Sequence, residues 1–110
     1  MPLKIVFLGW SLRLTDQYME QMAEDNAEQV AWYNRRYGRL VLTDGTEITN
    51  AYHMNRIQGR RFDQVIVADD RRMEILEYHQ HDIAELLACC MASPVPEEYR
   101  LQTYDLDAEE

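Results

Sequence analysis

Arg60-Arg61-Phe62-Asp63-Gln64-Val65-Ile66-Val67-Ala68-Asp69-Asp70 is the stretch that decides how the chain is read. Residues 65–68 are small and apolar with no polar break, and Val65, Ile66 and Val67 are β-branched. Branching at Cβ stiffens a side chain and favours extended backbone. A continuous apolar run of this length suits a strand covered on both faces, as at the parallel centre of an α/β sheet. The run stops at adjacent carboxylates, Asp69 and Asp70, where an open α/β sheet has its ligand crevice.

Working downstream, Met73, Leu76, Ile83, Leu86, Leu87 and Cys90 keep near-helical spacing. They predict one final helix from Arg71 or Arg72 to Ala92. Ser93-Pro94-Val95-Pro96 ends it, because proline cannot continue the hydrogen-bond ladder. Residues 97–110 form an acidic tail that either docks through Tyr99, Leu101, Tyr104 and Leu106 or stays without fixed structure.

Upstream, Asp44-Gly45 lies between two extended runs, residues 39–43 and 46–49. This is the pairing expected of a type I′ hairpin, whose central residues both take positive φ. Residues 50–59 are polar and mixed and read as a loop. Residues 3–10 read as a first strand. Ser11 or Thr15 then caps a helical pattern that continues to Tyr37, as one helix or as two split by an Asp25/Glu28 capping box. Gly38 supplies the helix stop. The order strand, helix, hairpin, strand, helix predicts a small α/β domain over residues 1–96. Its mixed sheet has three or four strands in two or three layers, with the acidic tail beyond.

A chain of 110 residues with 46% hydrophobic composition suits one domain with one core. It has no apolar run of about 18 residues, the length that reads as a membrane-spanning helix. The N-terminal segment lacks the basic leader and small-residue cleavage site of a signal peptide, so a cytoplasmic location is expected. Cys89 and Cys90 are adjacent, a spacing that strains a mutual disulfide, and they read as small apolar residues on a helix. The net charge of −9 is uneven. Residues 1–34 carry 2 basic and 5 acidic groups, residues 35–72 carry 8 and 5, and residues 73–110 carry 1 and 10. Overall acidity argues against general nucleic-acid or anionic-membrane binding, with the middle segment as the exception.

That segment holds the candidate site. A rigid strand end with two carboxylates can hold Mg2+ and orient a water, so Asp69 and Asp70 are candidate metal ligands and Mg2+ the one cofactor to consider. The competing reading is that one of them caps the following helix. Arg56, Arg60 and Arg61 before the strand and Arg71 and Arg72 after it are candidate ligand-binding residues. A guanidinium grips phosphate oxygens in a bidentate fork. Against this stands a solvated surface paired with acidic groups. His53, His79 and His81 show no metal-site spacing, and no nucleophile–base set is legible.

Residues 40–48, with their polar glycine turn, and residues 56–70, with Gly59-Arg60-Arg61 leading into a hydrophobic strand that ends in two acids, resemble a block of the ATPase domain of phage terminase large subunits. There the strand and its acids form the Walker B element. The resemblance implies half of a P-loop-type fold and a phage or prophage setting. The chain departs from that family in having no Gly-x-x-x-x-Gly-Lys-[Ser/Thr] loop, in having Lys4 as its only lysine, and in placing Asp70 where the family has Glu. Without that loop the phosphates of ATP have no seat. The expectation is therefore a non-enzymatic interaction or regulatory protein acting through a protein partner or a second copy of itself. The alternative is a nucleotide- or phosphate-binding protein, with nucleic acid reached only through the arginines of residues 56–72.

Overall fold

The strand anticipated at residues 65–68 lies inside a six-stranded sheet with a hydrogen-bonded neighbour on each side. The computed structural model describes residues 2–54 and 61–104. The strands are β1 (Lys4–Leu8), β2 (Val30–Asn34), β3 (Arg39–Leu42), β4 (Glu47–Asn50), β5 (Gln64–Ala68) and β6 (Leu101–Tyr104). The helices are α1 (Leu12–Asp25), α2 (Arg72–Tyr78) and α3 (Gln80–Ala88). The strand order is β2-β3-β4-β1-β5-β6. β4, β1, β5 and β6 run parallel, and β2 and β3 add an antiparallel meander at one edge.

Side chains alternate across a strand, so β1 serves both faces. Ile5 and Phe7 pack with Met19 and Met22 of α1, together with Leu40 and Ile48. Val6 points the other way and meets Val65, Leu86 and Cys90. Val6, Phe7 and Val65 are fully buried and Val67 is 1% exposed, as a central parallel strand requires. Helices therefore cover both faces, giving three layers.

The sheet is larger than the three or four strands expected, because two segments read otherwise are strands. Residues 30–34 continue no helix. α1 ends at Asp25, a 3-10 turn covers Ala27–Gln29, and β2 pairs with β3. Val30, Trp32 and Tyr33 fit a pleated surface better than a helix. Gly38 accordingly stops no helix and takes its φ of +60° in the β2–β3 turn, where the side chain of Asn34 accepts the amides of Arg36 and Tyr37. Within the acidic segment, Glu97–Tyr99 forms a 3-10 turn and Leu101–Tyr104 becomes β6, pairing with β5.

Two finer expectations also change. Asp44-Gly45 does not form a type I′ turn: Asp44 has negative φ and only Gly45 is positive, at +91°. The amide of Gly45 donates to Leu42 O at 3.0 Å and that of Leu42 to Thr46 O at 2.8 Å, which is a type I turn closed by a glycine bulge. The last helix is broken at His79 into α2 and α3.

A Cβ added at Gly38 would press into the His53 ring and lie 2.9 Å from Cβ of Asn50; one at Gly45 would meet only the Pro2 ring, at 3.2 Å. Left-handed strain plus overpacking should make Gly38→Ala cost about 2–4 kcal/mol, against about 1 kcal/mol for Gly45→Ala. Urea denaturation of the two variants checks this, and equal losses would contradict the placement of His53 and Asn50 against the turn.

Candidate functional site

Two adjoining parallel strands whose exits go to opposite faces leave a crevice at their C-terminal ends. β1 exits into α1 and β5 into α2 and α3, so the crevice lies between Gly9-Trp10 and Asp69-Asp70-Arg71. Its N-terminal wall is filled from within. The Thr15 side chain is fully buried, its hydroxyl accepts the amide of Gly9 at 2.9 Å, and it donates to Ser11 O at 2.6 Å. The Ser11 hydroxyl caps α1 by accepting the amide of Leu14 at 3.2 Å. The position where a phosphate-cradling loop would present free amides is thus occupied by the chain's own hydroxyl groups.

The opposite wall is engaged as well. Tyr18 donates its hydroxyl to Asp69 Oδ1 and accepts the amide of Asp70 at 3.3 Å. Its ring packs with Phe7 and Tyr104, with centroids 5.7 and 6.3 Å away. Neither aspartate caps α2: the cap residue is Arg71, in left-handed conformation at φ 57°, with no side-chain cap bond. Asp69 is half-buried and Asp70 exposed. Among the described residues, no three of His, Cys, Asp and Glu lie close enough to hold a metal.

Beside the crevice, Trp10 anchors a cluster of rings. The Arg71 guanidinium lies 5.3 Å over its ring, and Tyr78 packs against it at 5.6 Å. The Tyr52 hydroxyl is 2.9 Å from both Gly9 O and Trp10 O and 3.2 Å from His79 Nε2. His79 Nδ1 lies 3.3 Å from Asp82. These bonds tie the β1–α1 turn, the segment after β4 and the α2–α3 break into one unit. A second buried set joins α1 to the sheet: Asn50 donates to Asp16 Oδ1 at 2.7 Å, and His53 Nε2 lies 3.4 Å from the same oxygen.

The candidate arginines do not form one cluster. Arg56 and Arg60 lie outside the described residues. Arg61 precedes β5, whereas Arg71 and Arg72 follow it, and a five-residue strand separates the two ends by roughly 16 Å. Arg72 donates from Nε to Thr103 Oγ1 at 2.7 Å, and Arg71 is 3.7 Å from Glu74. Arg61 instead joins Lys4, Tyr37, Arg39, Glu47 and His53 around a groove of about 440 Å3 on the face of β4 that the helices leave open. Arg39 pairs there with Glu47.

Lys4 and Arg39 were missed in the sequence because only the pairing of β1 and β3 with β4 brings them to Arg61. The Thr15–Gly9 and Tyr18–Asp69 contacts carry no local pattern. Comparison with known protein families and with curated proteins finds no match to the sequence.

Burial pushes the Tyr18 phenol far above its ordinary range, helped by its bond to Asp69 and the charges of Asp69 and Asp70. Burial also raises Tyr33, with Glu20 and Asp16 acting in the same direction, and Tyr52, with Asp82. The unfolded phenols ionise near pH ~10 while the folded ones hold their protons, so this stability is present below about pH 10 and lost as pH rises further. Burial also raises the Cys90 thiol, so urea midpoints should begin to decline gently above about pH 8.5 and fall more steeply above pH ~10. Tyr18→Phe should cost about 1–2 kcal/mol at neutral pH and shallow the alkaline fall; an unchanged fall would show that Tyr18 ionises freely in the folded protein.

Proposed function

We propose that this chain is a non-enzymatic interaction or regulatory protein, acting through a protein partner or a second copy of itself in a phage or prophage setting. The setting rests on the resemblance of residues 40–48 and 56–70 to the terminase ATPase block. The reading of the activity rests on one observation: Thr15 fills the β1–α1 turn and Tyr18 engages Asp69, so the corner of the sheet that would take a nucleotide is satisfied by the chain's own side chains. The Asp69–Asp70 pair makes a thin magnesium seat: Tyr18 holds Asp69 Oδ1, and among the described residues no third His, Cys, Asp or Glu stands close enough to complete a site. Among the described residues no helix is long and apolar enough to cross a membrane. A host cytoplasmic location belongs to this same proposal.

A second reading keeps a phosphate-bearing ligand but moves it. Lys4, Arg39 and Arg61 share a groove with the exposed ring of Tyr37, and among the described residues lining it Glu47 is the one acid. A phosphate group or a short single-stranded nucleic acid fits that chemistry better than it fits the paired aspartates.

Amide NMR during titration with Mg2+-ATP separates the two. The first reading expects no shifts at residues 9–15 or 69–72 up to millimolar ligand, and the same weak magnesium response in wild type and Asp69→Asn. The second expects shifts at residues 4, 37–39 and 61, reproduced by pyrophosphate alone and lost in Arg61→Gln. Saturating shifts at residues 9–15 and 69–72 in the micromolar range would overturn both.

A further inference from the structure

Among the described residues β2 is an edge strand whose only hydrogen-bonded neighbour is β3, and its sequence, Val30-Ala31-Trp32-Tyr33-Asn34, contains no charge and no proline. Edge strands present a row of backbone donors and acceptors ready to pair with another chain; charges, proline and bulges blunt them, and β2 carries a bulge at Ala31 but neither of the other two. Ala31 is exposed and Trp32 is 43% exposed, on a half of the sheet that α2 and α3 do not cover. The strand is flanked by Glu28 on one side and by Arg35 and Arg36 on the other, all exposed. Arg35 lies 3.7 Å from Glu20, whereas neither Glu28 nor Arg36 has an ion pair among the described residues.

We propose that β2 is the surface through which two copies of this chain associate, by antiparallel pairing of the two edges into one continuous sheet. The proposal rests on the self-association form of the function above and names its surface. A two-fold axis at Trp32 sets Val30 of one copy opposite Asn34 of the other and the two tryptophans side by side. Glu28 lies just before the strand and Arg36 just after it, so antiparallel pairing brings the acidic end of each edge toward the basic end of the other.

The other edge lacks this property. β6 is preceded by exposed Glu97 and Glu98, and Asp105 and Asp107 follow it in the sequence. Arg100, just before β6, is held by Val95 O at 2.9 Å, which leaves the exposed charges at the described end of that edge acidic. Two short strands and a tryptophan pair make a small interface, so the dimer should be weak, with a Kd on the order of 10 μM or above.

Sedimentation velocity over about 5 μM to 1 mM protein tests it, with far-UV circular dichroism of each variant confirming the fold. The wild type should dimerise with concentration, and 0.5 M salt should weaken it several-fold. Glu28→Arg and Arg36→Glu should each raise Kd roughly ten-fold, since each sets like charges together at both ends of the pairing. The double variant should return Kd to within about three-fold of wild type. A dimer indifferent to salt and to both single variants would overturn the β2 surface and leave self-association standing. A monomer at every concentration would remove both, leaving a different protein as the only partner for the proposed function. A double variant weaker than either single would also contradict the pairing.

Discussion

From Ile5 to Leu8, β1 has no side left for water. β4 and β5 hydrogen-bond to its two edges, α1 covers Ile5 and Phe7, and α3 covers Val6. A strand enclosed in this way has to be apolar at consecutive positions, and its neighbours must run parallel so that helices can cross over on both faces. The remaining architecture follows. β4 lies on one side of β1 and β5 on the other, so their connections leave in opposite directions and open a crevice between Gly9-Trp10 and Asp69-Asp70.

The contents of that crevice govern the functional reading. Gly9 gives the close approach of strand to helix, but the space above it is taken by the Thr15 hydroxyl, only 2.6 Å from where a Cβ on Gly9 would stand. Asp69 is held by a phenol from α1, and Tyr52 closes on the carbonyls of Gly9 and Trp10. The Thr15 bond satisfies groups that would otherwise be buried alone, at a cost of about 1–3 kcal/mol, while those of Asp69 and Tyr52 are half-buried and contribute less. The same bonds lock the three loops together. A corner built this way favours rigidity over exchange with a ligand, which leaves the edge of β2 and the open face around Arg61 as the surfaces with unmet chemistry.

The parts legible in the sequence are those whose signal is local. Val65-Ile66-Val67-Ala68 announces enclosure on both faces because no polar residue interrupts it. Ser11 announces a helix start, and Asp44-Gly45 a tight turn, though the turn type depends on which residues pair across it. The missed elements depend on distant partners. Val30 and Tyr33 sit at spacings that also continue a helix from Tyr18 and Met22, and only pairing with Leu42 and Leu40 makes them a strand. Leu101 and Tyr104 lie in an acidic context that suggests disorder, and β5 supplies the template that orders them. The break at His79 has no proline or glycine to mark it; there the ring meets Tyr52 from another segment. The candidate arginines are close in sequence, but the strand between them sends Arg61 and Arg71 to opposite ends of the sheet.

Native-state amide hydrogen exchange tests the central claim most directly, since it ranks how much of the fold must open to expose each strand. Residues 6–8 and 65–67 should exchange last and together, at the free energy of global unfolding, with residues 30–34 and 101–104 exchanging earlier. Protection of residues 30–34 that outlasts that of residues 6–8 would contradict an architecture organised around an enclosed β1.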